Sequence, residues 1–184
     1  MEDAFQKLYE KYHQDLFQFL FYLVKDQNTA EDLIQEVYIK VLKSYDRFEG
    51  RSSEKTWLFS IARHVAIDYF RKQKTIRQRI LDKFDFDKGT IVDHSPLPEE
   101  VSIKREEIQW LYKALDACNV NQRSVIILRY LKDMSIQETA AILGWTESKV
   151  KTTAHRAIKL LRNEMERIKD EQEVESNDQT LSME

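Results

Sequence analysis

Apolar residues in the first 83 positions recur at helical spacing and fall into three blocks. Over residues 3–25, Phe5, Leu8, Tyr12, Leu16, Phe19 and Leu20 share one face at the three-and-four interval that buries one side of a helix. Asp26-Gln27-Asn28 interrupts the pattern, and Thr29 is placed to cap a second helix that runs to about Tyr45 with Leu33, Val37 and Val41 inward. A loop over 46–56 contains Gly50 and the pair Ser52-Ser53. A third helix starts near Trp57 and continues to about Lys83, with Leu58, Phe59, Ala62, Ala66, Tyr69 and Phe70 on its core arc. Residues 84–104 change character: Gly89, Pro96, Pro98 and mainly acidic charge describe a linker with little core-forming content. Helical periodicity then resumes and persists to about Ile168. The pattern predicts an all-α protein of two small helical domains, a bundle over 1–83 and a helix-turn-helix domain over 105–169. A flexible linker over 84–104 joins them, and an acidic disordered tail over 170–184 follows. Each half lies near the lower size limit for independent folding, roughly 60–80 residues.

Residues 135–162, SIQETAAILGWTESKVKTTAHRAIKLLR, carry the sharpest pattern. Ser135 followed by Glu138 has capping-box spacing, Ala140 is small where two helices cross, and Gly144 sits where the first helix must stop. At 100° per residue, Val150, Ala154, Ala157, Ile158 and Leu161 fall within about 100° of one another, a stripe expected to face the first helix. Lys151, Thr152, His155, Arg156 and Lys159 occupy the opposite arc of roughly 140°, with Lys149 at its edge. A solvated surface helix interleaves Glu with its Lys and Arg, yet no acid occurs between Lys149 and Asn163. Such an arc suits a DNA groove.

The net charge of −3 looks wrong for a nucleic-acid binder until it is divided along the chain. The last fifteen residues hold six acids and no Lys or Arg, whereas 61–83 carry seven Lys/Arg against two Asp, and 146–169 carry seven against three Glu. Two local basic patches are what phosphate contacts require. Cys118 is the only cysteine, which excludes an intrachain disulfide and a Cys-rich zinc site; it reads as a small core residue. The N-terminus MEDAFQKLYEKY lacks signal-peptide order, and the longest apolar-dominated stretch, Phe17 to Val24, is far short of a membrane span. The expected location is therefore cytoplasmic. Four scattered His, one Cys and no Gly-rich phosphate loop supply no catalytic constellation, so no catalytic residue, metal or cofactor is assigned and no small-molecule substrate is expected.

The third helix has a second face. Trp57, Ile61, His64, Asp68 and Arg71 lie opposite its core arc, followed by Lys72, Lys74, Arg77 and Arg79. An aromatic ring beside basic residues suits unstacked bases, because the ring offers a stacking platform while Arg or Lys holds phosphate. Alternatively, Trp57 packs under the preceding loop against Phe48, and spacing alone leaves both readings open. The helix before it shows Asp32, Gln35, Glu36, Ile39 and Lys43 outward, either as a plain solvated face or as a protein-binding one.

AEDLIQEVYIKVLKSYDRF, then TWLFSIARHVAIDYFRKQ, then SIQETAAILGWTESKVKTTAHRAIKLLR together resemble the extracytoplasmic-function (ECF) class of bacterial sigma factors, closest to its sigma-X type. The resemblance runs over residues 1 to about 168 with three motifs in the family's order. It implies a transcription initiation factor whose partners are core RNA polymerase and promoter DNA. The helix bearing Asp32, Gln35, Glu36 and Ile39 would dock on the clamp helices of the largest polymerase subunit. The loop over 49–56, with Arg51, Ser52 and Ser53, resembles one that captures a flipped base of the −10 element. The face of Trp57, Ile61, His64, Asp68, Arg71 and Lys72 resembles the helix that opens and reads that element, although relatives often have Asn where this chain has His64. Lys149, Lys151, Thr152, His155, Arg156 and Lys159 match the −35 reader, with Lys and Thr where relatives often have Arg. The linker matches a segment that runs toward the polymerase active-site cleft and RNA exit path. An anti-sigma factor anchored in the membrane is the further partner that the resemblance implies, so any membrane contact would be indirect.

Two competing readings remain at this level. A conventional regulator would bind duplex DNA through the C-terminal half and use the N-terminal half as a sensor or dimerisation unit. It would have no use for a single-strand surface at Trp57, Ile61, His64 and Arg71. An all-helical adaptor that binds only protein would have no use for an acid-free recognition arc.

Overall fold

The computed structural model describes residues 2–84 and 106–181, which form helices joined by short turns, with no strand among them. The chain divides into two compact units. The first holds the three N-terminal helices; the helices from Glu106 onward, apart from the four residues Ala141–Gly144, lie in the second.

In the first unit α1 (Glu2–Val24), α2 (Gln27–Ser44) and α3 (Glu54–Phe84) each pack on the other two. Leu16, Phe19, Leu20 and Leu23 of α1 meet Val37 and Val41 of α2 and Leu58, Phe59, Ala62 and Ala66 of α3 in a closed core. The rings of Phe19 and Phe59 lie 5.4 Å apart at its centre. Burial of each such Leu or Phe contributes about 1.5–3 kcal/mol, and this holds helices that would be marginal alone. Phe5, Tyr69 and Phe70, expected inside, are only half-buried; Phe5 instead meets the Tyr38 ring edge-on and Tyr69 meets Phe70.

The cap of α2 corrects the sequence reading. Asp26, rather than Thr29, is the capping residue: its Oδ1 accepts the Thr29 backbone N–H at 2.7 Å. Lys25, at φ 60, makes the reversal before it. The carboxyl of Asp26 is held below its ordinary range by these bonds from Thr29. Helix α3 starts ahead of Trp57 because Ser53 caps it, its hydroxyl oxygen accepting the Thr56 N–H at 3.1 Å.

The second unit comprises α4 (Glu106–Ala114), α5 (Val120–Ile126), a π-helical turn over Ile127–Leu131, α6 (Ile136–Leu143) and α7 (Glu147–Leu181). A capping box between Asn119 and Gln122 starts α5. Cys118 is buried, as expected. The expected box at α6 is also present: the Glu138 N–H donates to Ser135 Oγ at 3.1 Å, and the Ser135 N–H donates to Glu138 Oε2 at 2.7 Å. Ile158, Leu161 and Met165 of α7 line an apolar groove with Leu111, Ile126 and Tyr130.

Helix α7 does not end near Ile168. It continues to Leu181, so residues 170–181 of the expected disordered tail are helical. No Gly or Pro follows Gly144 to stop it, and Arg167 pairs with Glu164 at 2.7 Å and with Glu171 at 2.5 Å, one turn on either side. Apart from Phe84, the last residue of α3, the linker expected over 84–104 lies outside the described residues, as do residues 182–184.

Candidate nucleic-acid interface

The turn that aims α7 is built from backbone bonds. Gly144 adopts φ +65, a conformation that side-chain-bearing residues rarely take, and the Trp145 N–H reaches back to the Ala140 carbonyl at 2.9 Å. The Thr146 hydroxyl then accepts the Lys149 N–H at 3.2 Å and starts the helix. With that start fixed, Val150, Ala154, Ala157 and Leu161 are buried. Lys149, Lys151, Thr152, His155, Arg156 and Lys159 are all exposed. The Lys149 ammonium sits 4.2 Å from the centre of the Trp145 ring, which holds it at the mouth of the helix. One expectation changes: the apolar side of α7 packs chiefly on α4 and α5, not on the first helix of the helix-turn-helix. The six polar side chains nonetheless form one continuous strip with no carboxylate among them.

The N-terminal face is more mixed. Trp57 is half-buried, stacked on Phe48 at 4.7 Å and met edge-on by Tyr45 at 6.3 Å. Packing under the preceding loop is thus realised, and one face of the indole is occupied. Ile61 is half-buried one turn on; His64 is exposed, with Nδ1 2.7 Å from the Ser60 carbonyl oxygen. Arg63 turns inward, and burial pushes its guanidinium down to about 10. Arg71 and Lys72 are exposed. In the loop before α3, Gly50 turns at φ +68, Arg51 pairs with Glu49 at 2.5 Å, and Ser52 and Ser53 are exposed. The Ser53 hydroxyl is engaged as the cap of α3, so of the two serines Ser52 is the one whose hydroxyl is less committed.

On α2, Asp32, Gln35 and Ile39 are exposed and Glu36 is half-exposed, so the four outward residues share one face. Leu42, which sequence reasoning passed over, adds a second exposed aliphatic side chain, 48% accessible against 51% for Ile39. Lys40 was also passed over. Its ammonium lies 3.4 Å from Glu36 on its own helix and 3.9 Å from Asp68 on α3, and Asp68 also pairs with Arg71 at 3.5 Å. The Glu36–Lys40 spacing was visible as an i, i+4 pair; the approach of Asp68 exists only once α2 and α3 pack.

Among the described residues, no group of three His, Cys, Asp or Glu could hold a metal ion, and no helix is long and apolar enough to cross a membrane.

Comparison with known proteins bears on both surfaces. A family model for Sigma-70 region 2 matches residues 8–76, and one for Sigma-70, region 4 matches residues 108–161. The chain is 61% identical to the ECF RNA polymerase sigma factor SigX of Bacillus subtilis over 171 residues, covering 93% of this chain and 88% of that one. It is 33% identical to the RNA polymerase sigma factor YlaC of the same organism, over 94% and 98% of the two chains. Among solved structures it resembles the sigma factor RpoE of Bartonella quintana in complex with the anti-sigma factor NepR. That match has a TM-score of 0.69 at 27% identity and covers 90% of this chain and 98% of that one.

Proposed function

The chain belongs to the ECF RNA polymerase sigma factors, and we propose that its surfaces divide promoter reading between −35 duplex and −10 single strand. As a member of that family it binds core RNA polymerase and directs promoter recognition and initiation. Within that role, the strip of Lys149, Lys151, Thr152, His155, Arg156 and Lys159 reads the −35 element in the major groove. The face of Ile61, His64, Asp68, Arg71 and Lys72, with Ser52 and Arg51 in the adjoining loop and Trp57 beneath, takes up the opened −10 strand. Asp32, Gln35, Glu36 and Ile39 meet the polymerase.

One observation carries this reading: every side chain of the α7 strip is exposed and none is acidic, while the other side of the helix is buried. Guanine edges accept hydrogen bonds from Arg or Lys, and phosphates accept them from any cation. Each module alone makes few contacts, so the polymerase must fix their separation before both can be engaged together. Unstacking a base step costs a few kcal/mol, and base capture returns roughly 1–3 kcal/mol per base. The chemistry of RNA synthesis then belongs to the polymerase, and this chain is a non-enzymatic factor working in the cytoplasm.

Regulation follows from the similarity to RpoE, which was solved bound to an anti-sigma factor. The corresponding partner here is an anti-sigma factor, anchored in the membrane, that withholds the chain from polymerase. The functional reading is tested by run-off transcription with core polymerase on a genomic promoter library. Transcripts sharing one −35 sequence and one −10 sequence at fixed spacing support it. Transcripts that depend on a duplex element alone would favour a conventional helix-turn-helix regulator.

A further inference from the structure

Four charged side chains form a chain of ion pairs from the polymerase-facing side of α2 to the strand-facing side of α3. Glu36 Oε1 lies 3.4 Å from Lys40 Nζ, Lys40 Nζ lies 3.9 Å from Asp68 Oδ2, and Asp68 Oδ1 lies 3.5 Å from Arg71 Nη1. The two inner members are each shared: Lys40 between two carboxylates, Asp68 between two cations. A side chain that divides its charge between two partners favours one when the other is taken away.

Asp68 raises an electrostatic difficulty on a face meant for nucleic acid. A carboxylate there repels phosphate, and it also holds the Arg71 guanidinium, the nearest cation that could bind phosphate. Lys40 answers both points, since an ammonium on Asp68 neutralises it and competes with Arg71 for it. Lys40 is held back from doing so fully by Glu36.

We propose that Lys40 is a positioning residue that couples polymerase docking at Glu36 to release of Arg71 for the opened strand. When a cation of the polymerase takes up Glu36, Lys40 is left to Asp68 alone, and Arg71 turns from Asp68 toward phosphate. No bond is made or broken in this step; only the pairing of four charges changes. The inference rests on the assignment of α2 to polymerase and of Arg71 to the −10 strand. The side chains of Lys40 and Asp68 are 41% and 44% exposed, so solvent screens each pair and the coupling is modest.

The test uses the full-length chain assembled with core polymerase and reads permanganate reactivity of −10 thymines, alongside polymerase affinity and melting temperature. Lys40→Met should lower the open-complex equilibrium by about two- to fivefold, the scale of an exposed ion pair. Lys40→Arg, which can still bridge both carboxylates, should restore most of it. In an Asp68→Asn background the Lys40→Met penalty should vanish, because there is no longer a charge to neutralise. A penalty of equal size in both backgrounds would mean that Lys40 acts by touching polymerase or DNA directly, and would overturn the proposal. Arg71→Gln separates the underlying assignment: if it leaves opening unchanged, the −10 face is wrong and the coupling falls with it. If it lowers opening while the Lys40→Met penalty persists in the Asp68→Asn background, only the coupling is wrong.

Discussion

The indole of Trp57 lies stacked on the ring of Phe48, with centroids 4.7 Å apart and planes 30° from parallel. The first residue of the side of α3 proposed to face the opened strand is therefore also the residue that fastens the preceding loop. An aromatic pair of this kind is worth about 0.5–1.5 kcal/mol beyond the area it buries. Phe48→Ala should lower the melting temperature modestly and reduce −10 opening, because the loop bearing Arg51 and Ser52 loses its anchor. Circular-dichroism melting and permanganate footprinting check the two effects. Normal opening by Phe48→Ala would show that the loop needs no such fastening.

Arg156 projects from the exposed strip of α7. Arg156→Ala should weaken −35 recognition by about 1–3 kcal/mol and relax specificity at one base pair if it reads a guanine edge. Binding to a panel of −35 variants checks this. Equal loss on every variant would assign Arg156 to phosphate, and no loss would remove it from the interface.

Asp32 and Glu36 stand on the outward face of α2, away from the buried Leu33, Val37 and Val41. Changing both to Lys should abolish association with core polymerase while helical content stays as it was. Glu36→Lys also sets a second cation beside Lys40, so the double variant should cost slightly more stability than Asp32→Lys alone. Unimpaired pull-down of core polymerase would refute the assignment of this face.

Much of this was legible in the sequence, for a physical reason. Period-3.6 burial marked the core of α1 to α3, and local chemistry marked the start of α6 and its stop at Gly144, because both depend on neighbours along the chain. Ser135 with Glu138 and Gly144 before Trp145 needed no tertiary information. What escaped depends on approach between elements. Lys40 acquires meaning only when Asp68 comes within 3.9 Å from another helix, and the apolar side of α7 was credited to the wrong neighbour because α4 and α5 could not be placed beside it. The continuation of α7 beyond Ile168 was missed for another reason. Acidic composition suggested disorder, while the Glu164–Arg167–Glu171 pairs favour helix locally.

The cap of α2 makes a pH prediction. Asp26 accepts bonds from Thr29, so its pKa is lower in the folded state than in the unfolded one. The stability it contributes is present above the unfolded carboxylate pKa and is lost as pH falls through the lower folded value. Asp26→Ala should cost about 0.5–2 kcal/mol at neutral pH and should flatten this part of the acid dependence. Urea denaturation from neutral pH to the acid limit measures both; an unchanged acid profile would show that the cap is not formed in solution.

In the proposed division of labour one half of the chain reads duplex and the other opens it, and permanganate reactivity of −10 thymines in the holoenzyme tests this division most directly. His64→Ala with Arg71→Gln alters two exposed side chains of α3 and none of the buried core. The double variant should assemble with polymerase and bind the closed promoter through −35, yet leave the −10 thymines unreactive. A template with an unpaired −10 bubble should restore part of its activity, since the unpairing cost is already met. Normal thymine reactivity from this variant, or equal failure on the bubble template in a holoenzyme that still assembles, would contradict the division of labour.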